Sequence, residues 1–224
     1  MNKNNKNLVR LNEYKLTREQ LDTLKELGNI GSGHAITALS KLLNSEIEVS
    51  LTSAEIIPFW KVPEVFDTPQ VEVFGVYSEV SYNLKLSIIQ IFTKESLINL
   101  INLLNFNQKI PNEEIVKVED LDDISLSIIK EIGNILTGHY TTALADLLST
   151  QLIPNVPTVA LDTLQAMLNG IIAKYSRSSD FLIIIQTKIT LPEINLNCIM
   201  CSIPCINILK TLFKTLNLKY DINL

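Results

Sequence analysis

Glutamate and asparagine stand three residues apart at two places in this chain, inside a repeated segment. Residues 26–44 read ELGNIGSGHAITALSKLLN, and residues 131–149 read EIGNILTGHYTTALADLLS. Eleven of these nineteen positions are identical at a constant offset of 105, far beyond chance agreement. The first copy spaces Asp22, Glu26, Asn29 and Gly33 at i, i+4, i+7 and i+11, and the second spaces Ser127, Glu131, Asn134 and Gly138 in the same way. At 100° per residue each set falls on one face of a helix. An asparagine amide is no general base at neutral pH, but it both accepts from and donates to a water. That suits orienting a nucleophilic water, the role of glutamine in some GTP hydrolases. A glutamate one turn away can fix a cationic group of a partner by a charge-assisted bond. No Gly-x-x-x-x-Gly-Lys-Ser/Thr loop is present, so nucleotide binding is not indicated, and Gly31-Ser32-Gly33 resembles a phosphate loop only superficially.

A polar helix face is usually just a solvated face. Such a face tolerates most polar residues and should drift between two copies, so retention of the same acid and amide in both argues for a role. The glycines add to this, because an interior helix glycine costs about 1 kcal/mol against alanine. Gly28 and Gly133 lie off the polar face and read as close packing of helix on helix or helix on sheet. Gly33 and Gly138 lie on it, where a docked partner explains them at least as well. His34 and His139 also repeat, but they point away from the Glu–Asn face and have no carboxylate or cysteine partner at ligand spacing. They read as packed or capping histidines.

The elements that position these residues repeat as well. A helix from about Thr17 to Leu43 opens with the capping-box pair Thr17 and Gln20. A strand-like stretch from Ile47 to Ile57 follows, then a loop with Pro58, Pro63 and Pro69. Alternating runs from Val71 to Val80 and Tyr82 to Phe92 predict a hairpin. A helix from Lys94 to Asn105, with Thr93 as N-cap, closes the half. The second half has a long helix from Leu121 to Leu148, a strand near Val156 to Ala160, and a helical stretch from Asp162 to Lys174. Strands from Phe181 to Thr190 and Ile194 to Ile203 come next, and a helix from Pro204 to Leu216 places proline in its first turn.

Strands arriving as hairpins favour an α+β fold of two pseudo-symmetric repeats. Each repeat is a long helix, strands forming a hairpin, and a closing helix, and the two share a mixed or antiparallel sheet whose joining buries strand edges. Residues 1–15 read as a flexible tail and 16–224 as one domain, with repeats at about 16–106 and 121–218.

Composition narrows the function classes. Nearly half of the 224 residues are hydrophobic, enough for a sizeable core, and formal net charge is −5. There is no basic stripe for a nucleic acid, no run long enough to span a bilayer, and no apolar segment of a signal peptide near the N-terminus. The expected location is the cytoplasm. Cys198, Cys201 and Cys205 suggest a metal or redox Cys-x-x-Cys, but they lie on a strand-like run. There, positions three apart face opposite sides, and no second pair completes a zinc site. They read as small buried side chains.

At the Glu–Asn arrays the sequence resembles the CheC family of chemotaxis phosphatases. That family's motif is Asp or Ser, three residues, Glu, two residues, Asn, then a proline some twenty-three positions on. Asp22, Glu26 and Asn29 fit the first copy, and Ser127, Glu131, Asn134 and Pro157 fit the second. Thr52 stands where the first copy's proline is expected, which predicts a less restrained strand there and more activity at the second site. The resemblance implies a substrate, the aspartyl phosphate of a CheY-like response regulator that brings its own Mg²⁺ and lysine. Glu26 or Glu131 pairs with that lysine, and Asn29 or Asn134 holds water in line with phosphorus. The resemblance further implies that this chain itself needs no metal or cofactor.

The resemblance also implies a second partner, a CheD-like deamidase docking on a helix from Ala160 to Ile172, with Asp162 as the acidic contact and Leu161, Leu164 and Met167 near a polar edge. An ordinary amphipathic helix against the core fits that segment equally well. Two motif copies favour a monomer over the dimers of CheX-like phosphatases. A flagellar-switch component of the FliY type is the first alternative; it carries a further C-terminal domain, whereas this sequence ends soon after the second half. A non-enzymatic adaptor is the other, and it would not require Glu and Asn in both helices.

Overall fold

The computed structural model describes residues 16–58, 61, 70–81, 85–105, 109–111, 115–175 and 181–216. The N-terminal tail and the loop holding Pro63 and Pro69 lie outside the described residues. Helix α1 (Arg18–Leu43) starts as its capping box predicts: Thr17 Oγ1 accepts from the Gln20 N–H at 3.2 Å, and Gln20 Oε1 accepts from the Thr17 N–H at 2.8 Å. Strands β1 (Glu48–Pro58), β2 (Glu72–Ser81) and β3 (Lys85–Thr93) and helix α2 (Lys94–Leu104) complete the first half. Helix α3 (Asp123–Leu148), strand β4 (Thr158–Thr163), helix α4 (Leu164–Tyr175), strands β5 (Phe181–Leu191) and β6 (Leu196–Pro204), and helix α5 (Ile206–Thr215) form the second.

The six strands make one sheet of order β1-β5-β6-β3-β2-β4, with every neighbouring pair antiparallel. Exchanging the halves, β1 for β4, β2 for β5 and β3 for β6, returns the same order read backwards. The α+β duplication read from the sequence is therefore present in the topology. The two hairpins join through β3 and β6 at the centre, and each half's first strand crosses over to flank the other half's hairpin.

Alternate side chains of this sheet face two apolar clusters. One face is covered by α1, α2, α3 and α5, with Leu24, Leu39, Leu97, Ile129, Leu144 and Phe213 buried against strand residues such as Phe74, Ile88 and Met200. On the other face α4 packs Leu164, Leu168 and Ile171 over Val73, Ile89 and Ile184. The C-terminal end of α4 is pinned by polar contacts: Lys174 pairs with Glu79 and donates to the Tyr77 hydroxyl, and Tyr77 and Tyr175 meet at Ser87 Oγ, 3.0 and 2.7 Å away. Burial holds the Lys174 ammonium below the ordinary lysine range and pushes Tyr175 up.

Several expected boundaries shift, each for a local reason. Asp162 does not open a helix. It lies on β4, opposite Val73 of β2, because the ladder with Glu72–Tyr77 recruits Thr158–Thr163 as a sixth strand. The helix starts only at Leu164, where Thr163 Oγ1 accepts from the Ala166 N–H at 3.2 Å. Pro204 ends β6 opposite Leu86 instead of entering α5, and the next amide, that of Cys205, donates to the Lys85 carbonyl. Cys198 and Cys201 do face opposite sides of the sheet, one in each apolar cluster. Burial raises both thiols, Cys201 to about 12.

Helix α3 begins two residues later than Leu121, because Asp122 caps it with an Oδ1 contact of 2.7 Å to the Ser125 N–H. Hydrogen bonding from the side chain and backbone of Ser125 lowers the Asp122 carboxyl below its ordinary range. A depressed carboxylate contributes stability that is complete above the unfolded value of about 3.9 and is lost as pH falls through the lower folded value. Asp122→Ala is accordingly expected to cost about 1 kcal/mol in denaturant unfolding at pH 7. The difference between the two proteins should shrink below about pH 4.

Candidate functional site

Each long helix is 26 residues and ends in a left-handed residue, Asn44 after α1 and Ser149 after α3. Their solvent faces carry the two arrays. Asp22, Glu26, Asn29 and Gly33 are all exposed, and so are Ser127, Glu131 and Asn134, while Gly138 is half-buried. The structure thus keeps each predicted set together on its own helix. His34 and His139 are exposed in mid-helix, neither packed in the core nor capping.

The glycines divide as their positions predict. A Cβ on Gly28 would lie 2.5 Å from Ile185 Cγ2 and 2.8 Å from Thr52 Cγ2. One on Gly133 would lie 2.5 Å from Val76 Cγ1 and 3.4 Å from Pro157 Cγ and Gln90 Oε1. These two glycines sit within the three-residue step from Glu to Asn and let that step rest directly on the sheet. Pro157 is buried beneath the second site, and Thr52 takes the corresponding place beneath the first. Over Gly33 and Gly138 a Cβ would meet nothing within 4 Å. Thr37 and Thr142, again one repeat apart, each donate a hydroxyl to the glycine carbonyl four residues earlier, at 2.8 and 2.9 Å. The result on both helices is an acid and an amide beside a patch of bare backbone that another molecule can approach closely.

Thr52 is held more firmly than its replacement of proline suggests. It lies within the β1–β5 ladder opposite Thr187, and the two hydroxyls are 3.1 Å apart. The sites differ elsewhere. The Glu19 position of α1 is occupied by Ile124 in α3, 52% exposed, so the first face has a charged rim and the second an apolar one. Lys25 also approaches Asp22 to 3.9 Å on the first face, and Ser127 replaces that acid on the second.

Sequence reading missed the layer below the second site. Gln90 and Thr137 are fully buried between β3 and α3; Gln90 Nε2 donates to Thr137 Oγ1 at 2.8 Å, and Thr137 Oγ1 donates to Ser78 Oγ at 3.3 Å. The readable signal was a lone amide inside the apolar run Ile88–Phe92.

Among the described residues no group of three or more His, Cys, Asp or Glu side chains could hold a metal ion, and no helix is long and apolar enough to cross a membrane. Asp162 is exposed on the outer strand β4, where its carboxylate accepts from the Thr163 N–H at 2.7 Å.

A duplicated α+β unit sharing one antiparallel sheet, with matching Glu–Asn faces on its two long helices, defines a narrow class of protein. The CheC-like family model matches residues 19–50 and 124–161, which carry both arrays. The CheY-P phosphatase CheC of Bacillus subtilis is 34% identical over 180 residues, 78% of this chain and 81% of that protein. The chain belongs to the CheC-like family. The flagellar motor switch phosphatase FliY of Bacillus subtilis is 26% identical over 146 residues, 65% of this chain, a match that spans 36% of its length. The crystal structure of Thermotoga maritima FliY has the same fold, with a TM-score of 0.67 at 20% identity over 91% of this chain and 98% of that one.

Proposed function

We propose that this chain is a phosphatase that hydrolyses the aspartyl phosphate of a CheY-like response regulator in chemotaxis. The observation that carries this reading is the exposed Glu–Asn pair, present at the same spacing on both helices, with a close-packed glycine inside each pair and an open one beyond it. Glu26 or Glu131 forms a charge-assisted bond to the regulator's active-site lysine. Asn29 or Asn134 accepts from and donates to one water and holds it in line with phosphorus. Water oxygen bonds to phosphorus as the bond to the aspartyl oxygen breaks, and the products are the free carboxylate and inorganic phosphate. Mg²⁺ belongs to the regulator's side of this complex. This chain contributes position, which is a large effect for a well-aligned nucleophile. The kinship with a CheY-P phosphatase, at 34% identity, supports the reading.

The test is the loss of phosphate from a phosphorylated CheY-type receiver with and without this protein. The expected result is a catalytic acceleration at substoichiometric protein. Binding of the regulator without faster phosphate loss would sink the phosphatase reading and leave an adaptor.

We also propose that a CheD-like deamidase docks where β4 passes into α4, with Asp162 as its acidic contact. The exposure of Asp162 on the outer strand supports this. Asp162→Lys is expected to weaken that binding at least tenfold in titration calorimetry, since reversing one charge of a close interfacial pair costs more than about 1.4 kcal/mol. Phosphatase activity should stay unchanged. Unaltered affinity would remove the site.

A further inference from the structure

We infer that Gln90 is a positioning residue for the second Glu–Asn site, acting through Thr137 on the helical turn that carries Asn134. This deepens the phosphatase reading and rests on it. Thr137 follows Asn134 by three residues and precedes Gly138, so it occupies the underside of the turn whose top holds the amide. It bonds to two neighbouring strands at once, to Gln90 of β3 and Ser78 of β2. Two such bonds fix both the height and the rotation of α3 above the sheet, as packing alone does not, because hydrogen bonds are directional.

The first site lacks this tie. Ser32 holds the matching place on α1, and its hydroxyl goes to its own helix, 2.6 Å from the Gly28 carbonyl and 3.3 Å from that of Asn29. Beneath Gly28, one turn earlier, the hydroxyls of Thr52 and Thr187 bond to each other, within the sheet. One Glu–Asn turn is therefore bound to the sheet through its own side chain, and at the corresponding position of the other the hydroxyl stays on its own helix.

Gln90 is also an unfavourable choice for stability. It is fully buried, and its Oε1, which faces Gly133, accepts no hydrogen bond among the described residues. A buried acceptor left unmet costs free energy that an apolar residue of the same size would avoid. Such local costs persist where function needs them.

The two-site design supplies its own control. Phosphate loss from the regulator is measured in an Asn29→Ala parent, which reads the second site, and in an Asn134→Ala parent, which reads the first. Gln90→Met keeps the volume and removes the bond. Thr137→Val does the same from the helix side, and Thr137→Ser retains the hydroxyl. In the Asn29→Ala parent, Gln90→Met and Thr137→Val should each lower kcat by about tenfold, since even 1 Å of misplacement is worth on the order of a hundredfold. KM should stay within about twofold, because the docking groups are untouched. Combining the two changes should add little, because they break one tie. Thr137→Ser should keep most of the activity, and the first site's kcat should not change.

A second-site kcat unaffected by both substitutions overturns the inference while the phosphatase reading stands. Equal losses at both sites overturn it too, because they mark a general loosening of the fold. If neither parent turns over, the phosphatase reading fails and takes this inference with it. Thr137→Val and Thr137→Ser carry the test if Gln90→Met does not fold.

Discussion

Replacing both amides, Asn29→Ala with Asn134→Ala, is expected to abolish the acceleration of regulator dephosphorylation while leaving the protein folded. Both side chains are exposed on helix surfaces, where alanine is the best helix former and substitutions cost within about 0.5 kcal/mol. The chemical loss should be far larger. An alanine has nothing to hold a water in line, and orientation of a nucleophile can account for several kcal/mol of a barrier. Asparagine does not titrate, so the remaining activity should show no new pH dependence from this change. The assay is turnover of phosphorylated regulator, with circular dichroism as the check on folding. Wild-type turnover in the double variant would remove Asn29 and Asn134 from the chemistry. Binding of the regulator should persist, because Glu26 and Glu131 and the open backbone at Gly33 and Gly138 are unchanged.

The largest effect on stability should come from the crossing of the two long helices. Tyr140 is fully buried on α3, and its ring fills the notch left by Gly31 on α1, where a Cβ would lie 2.5 Å from the ring. Its hydroxyl reaches Ser202 of β6 at 2.7 Å, and burial raises its pKa to about 12. Tyr140→Ala removes the ring and the bond together and should cost about 3–5 kcal/mol in denaturant unfolding. Gly31→Ala overpacks the same notch and should cost about 1–3 kcal/mol. The repeat offers a compensating pair. One repeat away from Tyr140 stands Ala35, and one repeat away from Gly31 stands Leu136, both buried. Gly31→Leu in the Tyr140→Ala protein would make the crossing alike on both sides. The double variant should therefore recover part of the loss, with a coupling energy of about 1–3 kcal/mol. Strict additivity of the two changes would mean that Gly31 and Tyr140 are not the knob and hole of this crossing.

Helix α1 was legible to its cap, because Thr17 and Gln20 satisfy orphan amides through contacts three residues apart, and such local bonds are written in local sequence. The Glu–Asn faces were legible for a related reason: a helix converts spacing into direction without help from the rest of the chain. The duplication then separated a retained acid-and-amide pattern from an ordinary polar surface. Asp162 shows where this stops. The strand expected to stop near Ala160 runs on to Thr163, so Asp162 leaves the expected helix, because β2, more than eighty residues earlier, pairs with it. The crossover of β1 and β4 to the opposite hairpins likewise depends on pairings between distant residues, which no local pattern encodes.

The same holds beneath the site. Sequence determined which groups the proposed chemistry would use, Glu26, Asn29, Glu131 and Asn134, because residue type and helical period are properties of the chain itself. Only the tertiary structure decided how each pair is held. Gln90 and Thr137 stand forty-seven residues apart and meet only when β3 lies under α3. Ser32, at the equivalent place on α1, donates to the backbone of its own helix. Equal motifs thus rest on unequal foundations, a difference set by which strands pair and not by the motif.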